Sequence, residues 1–223
     1  MSLIFGSASD RADAGAFLAR VTRLDPSAPV RVRCADGVIA LWAWLPLEIL
    51  ATRQVHGTGP ADVTVDAKLL RDRIAVPDVV GVAAPGATPS VSPGEPVPLP
   101  ANRDADWPGA LPSEVGVQEL DEIPAEVVRS LLVAGERTFR EASVGADPRA
   151  VGDALLDHEV LTVSAGEASV ALPLRLLLGL ARMGFLGADP LRIGLAGGWV
   201  RAAASYGVAY RRRGRLALFP TPR

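Results

Sequence analysis

Eight of the nineteen prolines in this 223-residue chain fall between Pro85 and Pro112. Proline fixes φ and removes a backbone donor, so this stretch cannot be the interior of a helix or a central strand. The chain therefore divides into an N-terminal block over residues 1–83, a proline-rich linker over 84–113 and a C-terminal block over 114–223. The linker carries Trp107, a side chain that a freely solvated spacer rarely holds. The expectation is that Trp107 lies in an apolar groove on one of the blocks. The run PGEPVPLP (Pro93 to Pro100) also has the composition of a polyproline II ligand for a partner.

Each block alternates helical and strand periodicity. In the first, Leu3 to Phe5 reads as a strand and Asp10 as a helix N-cap. Ala14, Phe17, Leu18, Val21 and Leu24 form a helical stripe that Pro26 ends. PVRVRCA (Pro29 to Ala35) alternates, Asp36-Gly37 is a type I′ turn signature, and VIALWAWL (Val38 to Leu45) returns apolar on both faces. Glu48 to Val55 and Val63 to Val65 follow as strands. Asp66 then caps a short helix, and Val79 to Ala83 reads as a closing strand. In the second block, Pro124 stands at the first helical position, with Val128, Leu131, Leu132, Gly135 and Phe139 inward. A second helix starts at Asp147-Pro148, with Val151, Ala154 and Leu155 inward. A hairpin turns at Gly166, and a third helix starts at Pro173. Strands are expected at Leu191–Leu195, Trp199–Ala203, Val208–Arg212 and Leu216–Phe219. The fold class is α+β: two mixed blocks with mainly antiparallel sheets and short helices. A strand runs directly into an amphipathic helix at both Asp62–Ile74 and Ala168–Met183, which suggests a loose internal duplication.

Composition excludes several chemistries. No apolar run is long enough to span a membrane. The apolar start, Met1 to Gly6, lacks a basic leader and reads as a strand. The single cysteine, Cys34, has no internal disulfide partner, which favours a reducing cytoplasm. Cys34, His56 and His158 show no metal-ligand spacing, and there is neither a GxSxG elbow nor a P-loop. No cofactor is expected, and catalysis has no motif to carry it.

Charge is unevenly placed. Residues 104–170 carry 4 basic and 14 acidic side chains, whereas residues 171–223 carry 9 basic and one acidic. Either the two segments pair internally, or the basic one forms an anion-binding face. The strongest constellation is Trp199, Arg201, Tyr206, Tyr210, Arg211, Arg212, Arg213 and Arg215, which interleaves guanidinium groups with aromatics. Guanidinium binds phosphate bidentately and aromatic faces stack on bases. The candidate nucleic-acid or anion site is thus Trp199, Arg201, Tyr210, Arg211, Arg212, Arg213 and Arg215.

Two resemblances follow from short features. LIFGSASD (Leu3 to Asp10) resembles the nucleotide-binding turn that opens the small aminoimidazole-ribonucleotide carboxylase/mutase family. That family needs a later glycine-rich loop with a histidine, and this chain has none. Strand–helix–strand units doubled across a linker resemble the DNA sliding-clamp family in element order, which implies a ring-forming or clamp-like scaffold. Two helices followed by a hairpin over Pro124 to Leu172 also fit a winged helix, but its recognition helix carries Asp153 and only Arg149. The leading expectation is a non-enzymatic scaffold with a protein partner or self-association. The alternatives are nucleic-acid binding through the C-terminal hairpin and an enzyme using carboxylates.

Overall fold

The computed structural model describes residues 1–75 and 94–213. The elements are β1 (Ser2–Phe5), α1 (Ala8–Leu24), β2 (Pro29–Ala35), β3 (Val38–Leu45), β4 (Ile49–Thr58), β5 (Asp62–Asp66) and α2 (Ala67–Ala75). After these come β6 (Pro96–Pro98), a 3-10 turn at Asp104–Asp106, β7 (Gln118–Ile123), α3 (Ala125–Ala142) and α4 (Pro148–Asp157). The chain continues through β8 (Glu159–Ala165), β9 (Ala168–Pro173), α5 (Leu174–Arg182), β10 (Leu191–Ala196), β11 (Trp199–Ala204) and β12 (Gly207–Arg212). The class is mixed α+β, with every strand pair antiparallel. The strands expected at Val79–Ala83 and Leu216–Phe219 lie outside the described residues, as do Arg215, Pro85, Pro89 and Pro93.

Eight strands follow the order β5-β2-β3-β4-β12-β11-β10-β7 in one sheet. The order is symmetric about the β4–β12 pair, where Val208 faces Thr52 and Tyr210 faces Leu50. On each side stands a three-strand meander, then a strand that leads directly into a helix (β5 into α2) or through one proline (β7, Pro124, α3). The symmetry extends off the main path, since β1 pairs β6 and β9 pairs β8. This is a two-block duplication, with the backbone of one half joined to the other through a shared ladder; it matches β5–α2 to β7–α3 and β1–α1 to β9–α5, so Asp62–Ile74 and Ala168–Met183 are not each other's counterparts.

The sheet has two apolar faces, as strand residues alternate sides. The inner face holds the main core. Val30, Val32, Ile39, Leu41, Ala51, Ala202 and Ala209 there meet Phe17 and Leu18 of α1 and Leu176, Leu177 and Leu180 of α5. The helices lock the halves together: Ile49 of β4 lies against Gly179 of α5, and Phe17 stacks on Phe185 at 6.3 Å. The outer face carries a second cluster of Trp42, Leu50, Ala196, Trp199 and Tyr210, with Trp44 and Val208 beside it.

Local chemistry explains most boundaries. Asp36 and Gly37 both have positive φ, as a type I′ turn requires. Asp66 accepts from the Leu69 N–H at 2.9 Å and so caps α2. Ser7, rather than Asp10, is the N-cap of α1: its hydroxyl accepts from the Asp10 N–H and donates to the Asp10 carboxylate. Pro124 is likewise the N-cap of α3 and not its first residue. Ala154 is exposed, because α4 buries no side chain completely. Strand β7 departs from the sequence pattern. Its residues QELDEI alternate poorly because a bulge opposite Ile193/Gly194 puts two exposed positions between Leu120 and Ile123.

Candidate functional site

Residues 94–117, the described end of the linker and the four residues after it, are bound to the body of the molecule. β6 pairs with β1 at the sheet margin, where proline is tolerated. The Arg103 N–H then donates to the Thr64 carbonyl at 2.8 Å, and the Asp104 carboxylate accepts from the Thr64 N–H at 2.6 Å. These bonds satisfy the outer edge of β5. They also help hold the Asp104 carboxyl below the usual carboxylate range, after the larger effect of the Asn102 amide. Trp107 and Leu111 next pack on the outer aromatic cluster, with the Arg31 guanidinium 5.8 Å from the Trp107 ring centre.

From Pro112 to Val117 the linker crosses the outer face and leaves a cavity on each side of Glu114. One, of about 470 Å³, straddles the β4–β12 junction and is lined by Thr52, Gln54, Glu114, Glu119, Arg201 and Val208 among others. The other, of about 480 Å³, is bounded by Arg33, Asp36, Trp42, Gln54, Pro112 and Glu114 among others. Glu114 is common to both, and among the described residues its donors are neutral. The Tyr210 hydroxyl donates to it at 3.4 Å and the Gln54 amide at 3.2 Å. Burial, reinforced by the Glu114 charge, pushes the Tyr210 phenol up to about 12. Two polar groups beneath the groove, the Thr52 hydroxyl and the Trp42 indole N–H, are buried and have no hydrogen-bond partner among the described residues.

The structure distributes the sequence-derived residues over this surface. Tyr210 is fully buried and Trp199 nearly so. Their rings pack on Trp42 at 5.6 Å and Trp44 at 5.8 Å. Arg201 forms a wall of the junction cavity and pairs with Glu119 at 3.3 Å. Arg211 points to the helix side and lies 3.6 Å from Asp157, which also meets the buried Arg175 at 2.7 Å. Arg212 is exposed and its guanidinium lies 4.9 Å from the Trp199 ring centre. Arg213 is exposed beside the Gly197-Gly198 turn, with its N–H on the Gly198 carbonyl. The basic C-terminal segment thus meets the acidic middle at Arg201–Glu119, Arg175–Asp157 and Arg211–Asp157. Thr52, Gln54, Trp42 and Glu114 were absent from the sequence reading, since only the register of β3, β4 and β12 brings them under one loop.

Among the described residues, no three His, Cys, Asp or Glu side chains group to hold a metal ion. No helix among them is long and apolar enough to cross a membrane.

This architecture is the sliding-clamp fold. The DNA polymerase III beta subunit of Thermotoga maritima matches with a TM-score of 0.56 and 16% identity over 99% of this chain and 66% of that one. The beta subunit of Pseudomonas aeruginosa matches with 0.56 and 17% over 100% and 68%. The polymerase sliding clamp of Caulobacter crescentus matches with 0.53 and 15% over 100% and 68%. The chain therefore spans about two thirds of the length of these proteins. In sequence, residues 1–93 are similar to a domain of unknown function, DUF8010, and residues 112–216 to another, DUF8185. No curated protein matches the chain in sequence.

Proposed function

We propose that the chain is a non-enzymatic scaffold on a clamp fold, and that the groove beneath residues 112–117 receives a protein partner. The observation that carries this reading is the pair of cavities at the junction of the two halves. They combine an aromatic floor, unpartnered buried donors and a carboxylate with spare acceptor capacity. A concave surface of mixed apolar and polar groups suits recognition, and among the described residues no three His, Cys, Asp or Glu side chains group there to hold a metal ion. The test is a photo-crosslinking amino acid placed at Val117 or at Gln54, with Arg140 on the exposed side of α3 as control. Adducts of defined mass are expected from the groove positions alone. Equal yields at all three, or none, would sink the reading. Light scattering on the same preparations separates self-association from a foreign partner.

A second reading, nucleic-acid binding, is favoured by the exposed Arg212 and Arg213 and by a fold shared with DNA polymerase clamps. In this reading Arg201 and Arg211 contribute only if they exchange their present acidic partners. Its test is a fluorescence-anisotropy titration with single- and double-stranded DNA and RNA at two salt concentrations. Salt-sensitive binding lost in the Arg212→Glu/Arg213→Glu double variant is expected if the face is used. Absence of binding at low salt removes this reading.

A further inference from the structure

Resting on the scaffold reading, we infer that the partner anchors in the groove through a cationic side chain, arginine in preference to lysine, with Glu114 as its counter-charge. The argument is one of charge and hydrogen-bond capacity. In the junction cavity, Arg201 is neutralised by Glu119, and Arg53 is turned away onto Asp13 and the Tyr206 carbonyl. In the neighbouring cavity, Arg33 is drawn to Asp62 at 3.6 Å, and Asp36 has no ion pair among the described residues. Glu114 sits between the two and has no cation either among the described residues; its contacts are the Gln54 amide and the Tyr210 hydroxyl at 3.2 to 3.4 Å. Charge-assisted bonds to a carboxylate are usually about 2.7–2.9 Å, so Glu114 has room for a stronger partner.

The surroundings favour a guanidinium over an ammonium. The group is planar, carries five donors and is weakly hydrated, so it can meet both carboxylate oxygens of Glu114 together. The same outer face already holds two guanidinium groups over indoles, Arg31 on Trp107 and Arg212 on Trp199. Trp42 at the cavity floor offers a third indole. Each cavity is large enough for one long side chain.

The test titrates the full chain with Nα-acetyl-arginine amide, Nα-acetyl-lysine amide and Nα-acetyl-glutamate amide, following the indole N–H and Gln54 side-chain resonances by NMR. Saturable shifts at Trp42 and Gln54 are expected with the arginine derivative, weaker ones with the lysine derivative and none with the glutamate derivative. Glu114→Gln should weaken the arginine derivative about tenfold, the equivalent of one charged hydrogen bond. Its fold is checked by the unchanged indole resonances of the unliganded protein. No shift in the parent protein, an unaltered titration in Glu114→Gln, or equal binding of the glutamate derivative would overturn the inference. Crosslinking separates the two failures. A partner captured at Val117 as well by Glu114→Gln as by the parent leaves the scaffold reading standing without the cationic anchor. Absence of any groove adduct removes the reading itself.

Discussion

Individual residues set the tightest constraints where backbone crosses backbone. Gly57 has φ of 153°, and a Cβ there would lie 2.4 Å from the Ile4 carbonyl and 2.6 Å from Ile39 Cδ1. Gly57→Ala must therefore open the contact between β1 and β4. A loss of about 1–3 kcal/mol is expected, read as a lower urea midpoint at constant slope. At the start of α1, the Ser7 hydroxyl and the amide of His56 both hold the Asp10 carboxyl below the usual carboxylate range. A lowered folded pKa means that this contribution is fully present above the unfolded value of about 3.9 and is lost as pH falls through the folded one. Asp10→Asn should thus be less stable than the parent at neutral pH. The two should converge in strong acid, as followed by urea unfolding at several pH values. Ser7→Ala should cost about 1 kcal/mol through loss of the cap.

At the scale of elements, the linker after residue 94 is a working part of the sheet. Its Arg103 and Asp104 satisfy the edge of β5, and its Trp107 covers the outer aromatic cluster. Trp107→Ala should cost about 2 kcal/mol, below the roughly 3–5 kcal/mol of a fully buried aromatic because the residue is only partly buried. Hydrogen exchange should then show faster exchange at the Thr64 amide, whereas the inner-face amides of β3 stay protected. Equal loosening everywhere would mean that the linker does not act locally. The strand and helix pattern of both blocks was legible in sequence because each element carries its own period and its own turn chemistry. β6 and β7 were not. The first is written in prolines, and the second hides its apolar pair, Leu120 and Ile123, behind a bulge and four polar neighbours.

The two halves are also joined to each other across the symmetry axis of the sheet. β4 and β12 share a ladder, α5 packs on β4, and Phe17 meets Phe185. Separating the chain into residues 1–113 and 114–213 would expose a strand edge and an apolar helix face on each piece. We expect the intact chain to unfold in a single transition and the separate pieces to lack it until mixed, as measured by circular dichroism in urea. Two independent transitions in the intact chain would show that each half has its own sufficient core.

Sequence alone determined the α+β class and the doubling into two blocks, because periodicity and turns are local properties of the chain. It also brought Arg201, Tyr210 and Trp199 forward, of which Arg201 lines the junction cavity and the two aromatics belong to the outer cluster. What they do there was decided by the tertiary structure. Strand pairing put Tyr210 into the core and Arg201 onto Glu119, and the helix side drew Arg211 to Asp157. Glu114 gave no local signal in an acidic stretch. It came to line both cavities only when residues 112–117 crossed the β4–β12 junction. Burial and long-range pairing, which no short window of sequence contains, settle which charges are neutralised and which keep spare capacity.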